Sequence, residues 1–468
     1  MIPIDTLPDD ALLLIFDQYM NIVRLEGGVR QKAEDAWHSL VHVCRRWRCI
    51  VFESTRRLDL RLVCTGEIPA RDRLDVWPAL PLIVWGDSEF STGSGGDYVD
   101  NIVAALEHAD RVCQIHIGNF LNLEMEIILA AMQRHFPELT DLRFWPSHQP
   151  VPDVPDSFLG GSAPRLESLS LSHFPFPSLP KLLLSATHLV HLHLGNIPHS
   201  GYFSPDTMVT ALSTMISLYD LSLRFQSPRS CPSRESRRSP PSTRSLLPVL
   251  TNFRFKGVSE YLEDLVACID APELNLFEIT FFNDIAFDTP QLIQFISHTP
   301  KLKALKKAFI ILRDRVASVN FLSQSSRYGD DLRVEISCKG LDWQLSSLEQ
   351  LCTLCLPPLS MLEVLYFYDN SRPTWTDDTN NELWLELLRP FSAVKNLFLS
   401  EKVALSVAAA LQERVEGGMT EVLPAVFPTL QKIFVGKFEP SGPAYKGIRR
   451  FVAAREVAGH PIAIYRWT

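Results

Sequence analysis

The chain lacks the cysteine framework of a stapled secreted domain. Its nine cysteines are scattered over 468 residues. The one C-x-x-C, Cys352-Thr-Leu-Cys355, has no second half of cysteines or spaced histidines to complete a zinc site. Buried thiols in a packed core are the expected use. No N-x-S/T acceptor occurs despite many asparagines. No apolar run approaches the roughly 18 residues that a bilayer span needs. The start, Met1-Ile-Pro-Ile-Asp5, has neither the basic residues nor the long apolar core of a secretory signal. A basic excess is absent as well: the net charge is -9, which argues against a nucleic-acid binder. These absences predict a soluble, reduced, intracellular protein, cytoplasmic or nuclear, that engages neither membrane nor nucleic acid.

The signatures of catalysis are also missing. There is no G-x-S-x-G elbow, P-loop or G-x-G-x-x-G. Asp9-Asp10, Asp330-Asp331 and Asp377-Asp378 are sequence neighbours, which diverge in direction and read as a helix start and solvated loops. His191 and His193 flank Leu192 and point to one side of a strand. With His188 and His199 they hint at a metal, yet no local carboxylate or cysteine completes the set. No enzyme activity, cofactor or metal is expected.

What the chain does have is a recurring Leu-x-x-Leu-x-Leu. The clearest copy is Leu166/Leu169/Leu171, and others lie at Leu139/Leu142/Phe144, Leu189/Leu192/Leu194, Leu218/Leu221/Leu223, Leu250/Phe253/Phe255, Leu274/Phe277/Ile279, Leu362/Leu365/Phe367, Val394/Leu397/Leu399 and Leu430/Ile433/Val435. Val112/Ile115/Ile117 fits, Leu302/Leu305 is half a match, and Leu332/Val334/Ile336 keeps the alternation. The middle anchors advance in steps of 23 to 36 residues, about 29 on average, a period typical of solenoids. Each alternating segment is a short strand with one buried face, which can be hidden only by stacking on the next copy. The intervening segments 100–109, 124–136 and 291–297 have helical spacing. The pattern resembles leucine-rich repeats in their long, irregular form, and the expected fold is an α/β solenoid, a horseshoe over about residues 53–440.

Residues 1–52 follow a different rule. Asp5 or Thr6 can cap a helix, Pro8 suits its first turn, and Asp9 and Asp10 favour the positive end of its dipole. Leu12, Ile15, Phe16 and Tyr19 then form one apolar stripe, Gly27-Gly28 breaks it, and Trp37, Leu40, Val41, Cys44, Trp47 and Val51 share the face of a second helix. The stretches Leu7-Pro-Asp-Asp-Ala-Leu-Leu-Leu-Ile15-Phe16 and Val43-Cys44-Arg-Arg-Trp47-Arg48 resemble the two ends of an F-box. The span from Met20 to Ala36 is longer than that motif's usual spacing, and its central Asp-Leu is missing. Arg73 to Pro81 is similar to a linker of fungal, basidiomycete-type F-box proteins. The resemblance implies a substrate receptor of an SCF-type cullin–RING ubiquitin ligase. Leu7, Pro8, Leu12, Ile15, Phe16, Leu40, Val43, Cys44 and Trp47 would then contact a Skp-type adaptor, linked through it to a cullin. Two short helices cannot form a core alone, so an apolar face is left over for a partner. The alternative is a leucine-rich scaffold whose N-terminal helices only close the end of the solenoid.

Three further expectations concern the rest of the chain. Leu58-Asp-Leu60-Arg-Leu62 alternates like a strand, as does the segment Leu82 to Trp85. The run 227–245, with five arginines and four prolines, has almost nothing to bury and reads as a disordered insertion. Residues 441–468 read as a C-terminal cap with a helix over 448–458 and a strand over 460–467. Residues either side of each middle anchor should line the face opposite the helices, from Gln114, His116, Asp141 and Arg143 to Tyr366, Phe398 and Phe434. Exposed aromatics in a row anchor partners, so Tyr366, Tyr368, Phe398 and Phe434 are the candidate patch for an unknown protein substrate. The competing expectation is that the C-terminal tail, or the loop 371–379, folds over them.

Overall fold

The computed structural model describes residues 7–26, 36–87, 95–146, 151–230, 244–282, 289–303, 305–323, 331–338, 340–356, 359–370, 381–416, 426–436 and 442–467. The chain packs as two compact units, Met1–Gly195 and Asn196–Thr468. The helical segment before residue 53 belongs to the first, and the expected C-terminal cap to the second.

In the first unit β1 (Leu62–Thr65), β2 (Leu82–Asp87), β3 (Val112–Gly118), β4 (Asp141–Trp145), β5 (Ser168–Ser172) and β6 (His191–Ile197) lie side by side in chain order. Every pair is parallel, and anchor meets anchor: Ile115 pairs with Leu142, Leu142 with Leu169, and Leu169 with Leu192. Helices Gly95–Leu106, Asn122–Ala131 and Leu179–Ser185 fill three of the crossovers. The first strand begins later than the alternation suggested. Leu58 and Leu60 are buried ahead of β1, in a turn where Leu58 N–H donates to Ser54 O and Leu60 N–H to Thr55 O. The expected linker before β2 contains a short helix, Ala70–Val76.

The regular repeats are closed by the same local device. The N–H of the first anchor donates to the carbonyl three residues earlier: Leu166 to Ala163, Leu189 to Ala186, Leu218 to Met215, Val394 to Phe391, Leu430 to Phe427. Those earlier residues are themselves buried. The full unit therefore carries a fourth apolar position, three residues ahead of the leucine pattern. One residue after the first anchor, the N–H reaches back to the preceding repeat, as in Glu167 to Thr140, Lys395 to Glu363 and Gln431 to Lys395, each at 2.8–2.9 Å.

The second unit holds β7 (Asp220–Phe225), β8 (Ser245–Leu246), β9 (Asn252–Gly257), β10 (Ile269–Asp270), β11 (Leu276–Phe281), β12 (Leu305–Arg313), β13 (Val316–Ser323), β14 (Leu332–Ser337), β15 (Val364–Asp369), β16 (Asn396–Leu399), β17 (Lys432–Gly436) and β18 (Ala463–Trp467). Its main sheet runs β7-β9-β11-β14-β13-β12-β15-β16-β17-β18, and β8 pairs with β10 apart from it. The simple succession of repeats fails between 277 and 365. β12 turns through Asp314-Arg315 into β13, which is antiparallel to both β12 and β14. β14 then lies parallel to β11, and β12 parallel to β15. A parallel neighbour needs a crossover of a dozen or more residues, whereas an antiparallel one needs only a tight turn. The chain between β12 and β14 is spent on β13, so no crossover helix is left to build a repeat there.

Leu305 is not a middle anchor. A register shift lies between Leu305 and Lys307, and the buried residues of β12 are Ala308, Ile310 and Leu312. A slip of one residue exchanges the two faces of a strand, which sends Phe309 and Ile311 to the side away from the core.

The C-terminal segment holds the expected helix and last strand. Helix Pro443–Val457 packs beside helix Glu401–Glu416, and β18 extends the sheet parallel to β17. The arginine-rich insertion is ordered at its margins, with a turn at Pro228–Ser230 and Arg244 reaching Asp270 at 3.3 Å. The rest of it, 231–243, lies outside the described residues.

Candidate functional site

Three surfaces stand out: the N-terminal helices and the sheet face of each unit that points away from the helices. The N-terminal helices are Asp9–Glu26, Ala36–Val41 and Arg45–Glu53. The second expected helix breaks at Cys44, whose Sγ accepts from Trp47 N–H at 3.5 Å and caps the third. Asp9 pairs with Arg46 at 2.6 Å, and Arg46 also donates to Leu7 O, tying the first helix to the third.

The nine residues expected to meet an adaptor divide into two groups. Leu12, Phe16 and Leu40 are buried, with Met20 extending the same inward row and Trp47 packed on Phe16 at 4.7 Å. These residues hold the three helices together and are not a docking surface as they stand. Leu7, Cys44 and Trp47 are half-buried, and Pro8 is exposed. Ile15 is 46% and Val43 58% exposed, and Leu14, at 62%, lies beside Ile15. The helix Asp9–Glu26 thus has one apolar row inside and a second one open.

The inner side of these helices is fixed to the first repeat. Trp37 is buried edge-on to Trp77 at 5.1 Å, and its Nε1 donates to Arg61 O at 3.0 Å. His38 stacks on Trp77 at 4.9 Å and Phe52 lies against it.

On the open sheet face of the first unit, the register sets Gln114, Asp141, Ser168 and His191 in one row and His116, Arg143, Ser170 and His193 in the next. Asp141 lies 3.3 Å from His116 Nε2 and takes two bonds from Arg143, at 2.9 and 2.7 Å. Burial alone would raise the Asp141 carboxyl. The bonds from His116 and Arg143 outweigh it and bring the group to about 2. Towards β1 the face turns apolar, with Val63, Ile83 and Cys113 packed under Trp85. No group of three or more His, Cys, Asp and Glu among the described residues could hold a metal.

The open face of the second unit changes character along the sheet. At β7 to β14 it is ionic: Arg254 bonds Asp220 at 3.0 Å and Glu278 at 3.3 Å, and Arg333 pairs with Glu335. From β12 to β18 it is aromatic. The register aligns Phe309, Tyr366, Phe398, Phe434 and Tyr465 across five adjacent strands. Their centroids are 4.4, 4.3, 4.2 and 5.2 Å apart, with planes within 3° to 21° of parallel. That separation is close to the spacing of neighbouring strands. The rings therefore stand upright and spend their faces on one another, so the surface they offer outward is a row of ring edges.

Trp467 lies at steep angles to Tyr366, Tyr368 and Phe398, 5.4 to 6.0 Å away, with the edge-to-face geometry that aromatic quadrupoles favour. Its partner in the register is Gly436, which has no side chain to hold the indole away from its neighbours. Burial raises the Tyr366 and Tyr368 phenols above their ordinary range, Tyr366 adding to the effect at Tyr368.

All four expected patch residues come together, half-buried. Part of the competing expectation also holds, since the tail supplies Trp467 over them. The loop 371–379 lies outside the described residues. Phe309, Tyr465 and Trp467 were missed. Phe309 was hidden by placing the anchor at Leu305, and the other two by assigning their strand to a cap.

No protein-family model matches the chain, and no curated protein matches it. Among solved structures it is similar to the leucine-rich repeat-containing protein LegL7 from Legionella pneumophila, at 14% identity over 84% of this chain and 97% of that one, with a TM-score of 0.28. It is also similar to a chain of the TLR13–ssRNA13 complex, at 14% identity over 76% of this chain and 45% of that one, with a TM-score of 0.27. This chain thus spans less than half the length of that second neighbour. No helix among the described residues is long and apolar enough to cross a membrane.

Proposed function

We propose that the chain is a non-enzymatic protein-binding receptor: a repeat-built platform that grips a protein partner on its aromatic strip and docks through its N-terminal helices on a Skp-type adaptor of an SCF-type ubiquitin ligase. The observation that carries the adaptor half is the set of exposed apolar side chains, Leu14 and Ile15 on the first helix and Val43 after the second, left open while Leu12, Phe16 and Met20 complete the inner packing. A helix that only closed the end of a solenoid has no need of them. The partner half is supported by seven aromatic side chains gathered at one end of the open face, where anchor residues of interfaces concentrate.

Co-purification tests the adaptor half. The native chain should retain a Skp-type adaptor, and Ile15→Asp/Val43→Asp should lose it with an unchanged melting midpoint. A native chain that forms no complex sinks the reading. The rival is a scaffold whose first helices serve only as an end cap, favoured by the packing of Trp37, His38 and Phe52 around Trp77. It predicts no complex with either chain.

A further inference from the structure

The two outermost strands are finished differently. β1 is buried along its whole length; Arg73 Nη1 donates to Val63 O on its edge at 2.5 Å, and Asn101 Nδ2 donates to Gly66 O just beyond the strand at 2.8 Å. Among the described residues β18 has no such cover. It is exposed or half-exposed at every residue, carries the single charge of Arg466, and has no proline within it. Proteins normally blunt a strand edge with charge, proline, a bulge or a covering element. The ring stack ends at this edge too: among the described residues no further ring follows Tyr465, which is 45% exposed and has Lys432 Nζ 5.9 Å from its ring centroid.

We propose that β18 pairs antiparallel with β18 of a second copy of this chain, the two-fold axis passing at Tyr465. The inference does not depend on the adaptor reading. Ala463 N–H donates inward to Gln431 O at 2.9 Å. Alternate residues of a parallel strand address the same neighbour, so Ile464 and Arg466 turn their N–H and C=O groups outward. Centring the axis on Tyr465 sets Ile464 opposite Arg466 of the second copy, as a pair that exchanges both bonds. This happens twice, so all four outward groups of each strand are satisfied.

The side chains agree with that register. Ala463 falls opposite Trp467 of the second copy, small against large, and the two Tyr465 rings meet at the close, non-hydrogen-bonded position. The ring stack then runs on through the interface. A register centred on Arg466 sets two like charges opposite each other, which is unfavourable.

Sedimentation equilibrium on the full chain tests this. The native chain should show a concentration-dependent dimer. Tyr465→Lys and Tyr465→Glu should each weaken it by about tenfold or more through like charges at the axis, with melting still cooperative though lower in midpoint for the lost Tyr465–Phe434 ring contact. An equimolar mixture of the two should restore a heterodimer, which loss of fold in either variant cannot produce. Tyr465→Cys should cross-link under mild oxidation, because the close antiparallel pair has the Cα separation that a disulfide accepts. Arg466→Cys should not. A native chain that stays monomeric to about 100 μM overturns the proposal, as does a dimer indifferent to both charges at 465.

Discussion

Asp141 shows how a single buried charge makes this fold depend on pH. Its carboxyl sits at about 2, below the ordinary value of 3.8, because two donors outweigh its burial. A group depressed in the folded state stabilises the protein above its unfolded pKa and loses that contribution as pH falls through the folded value. Stability should therefore drop between about pH 4 and about pH 2. Asp141→Asn should flatten that slope in an acid titration followed by circular dichroism, and should cost about 2 kcal/mol at neutral pH. Glu263 works by a different route. Buried in its own helix, it accepts from Gln291 N–H at 2.7 Å and Leu292 N–H at 2.9 Å, capping the helix Pro290–His298. Glu263→Ala strands those donors and should cost about 1–2 kcal/mol in denaturant unfolding, while Glu263→Gln keeps an acceptor and should cost less. Leu12 and Ile15 lie three residues apart with opposite fates. Leu12→Ala should destabilise by about 2–5 kcal/mol, whereas Ile15→Asp should stay within about 0.5 kcal/mol. Equal losses would mean that both residues are core.

At the scale of elements, the strands that form the repeats were legible wherever helix and strand alternate. The anchors Ile115 to Phe277 all lie where the leucine spacing set them, because a buried middle residue leaves its two flanks on the opposite face. The helix limits followed with small shifts. The stretch 305–337 was misread because alternation alone does not say whether a strand's neighbour is parallel or antiparallel. Leu332, Val334 and Ile336 are buried as expected, yet they reach the sheet next to β11 through a hairpin. The aromatic strip owes its stability to the same pairing. Aromatic pairs contribute about 0.5–1.5 kcal/mol each beyond their burial, and Tyr366→Ala/Phe398→Ala removes four stacked contacts and two edge-to-face contacts with Trp467. That variant should melt several degrees lower, still cooperatively, and should lose partner capture while keeping the adaptor. Loss of cooperative melting would show that these rings serve packing alone. Trp467→Ala keeps the stack but removes three edge-to-face contacts, so it should change partner affinity and lower the melting midpoint, still cooperatively.

On the scale of the whole chain, the two outermost strands carry most of the functional argument. One is buried with Arg73 on its edge, and the other is exposed at the end of an aromatic stack. The periodicity of leucines determined that strands and helices would alternate, which residues would be core, and which flanks would share a face, since those follow from spacing along one segment. Only the tertiary structure decided that Leu12 and Phe16 turn inward while Ile15 turns outward, that β13 interrupts the parallel order, and that Tyr465 and Trp467 join residues more than thirty positions away. Each of those outcomes depends on which surfaces meet across the sheet, and contacts between distant segments leave no period in the sequence for a reader to find.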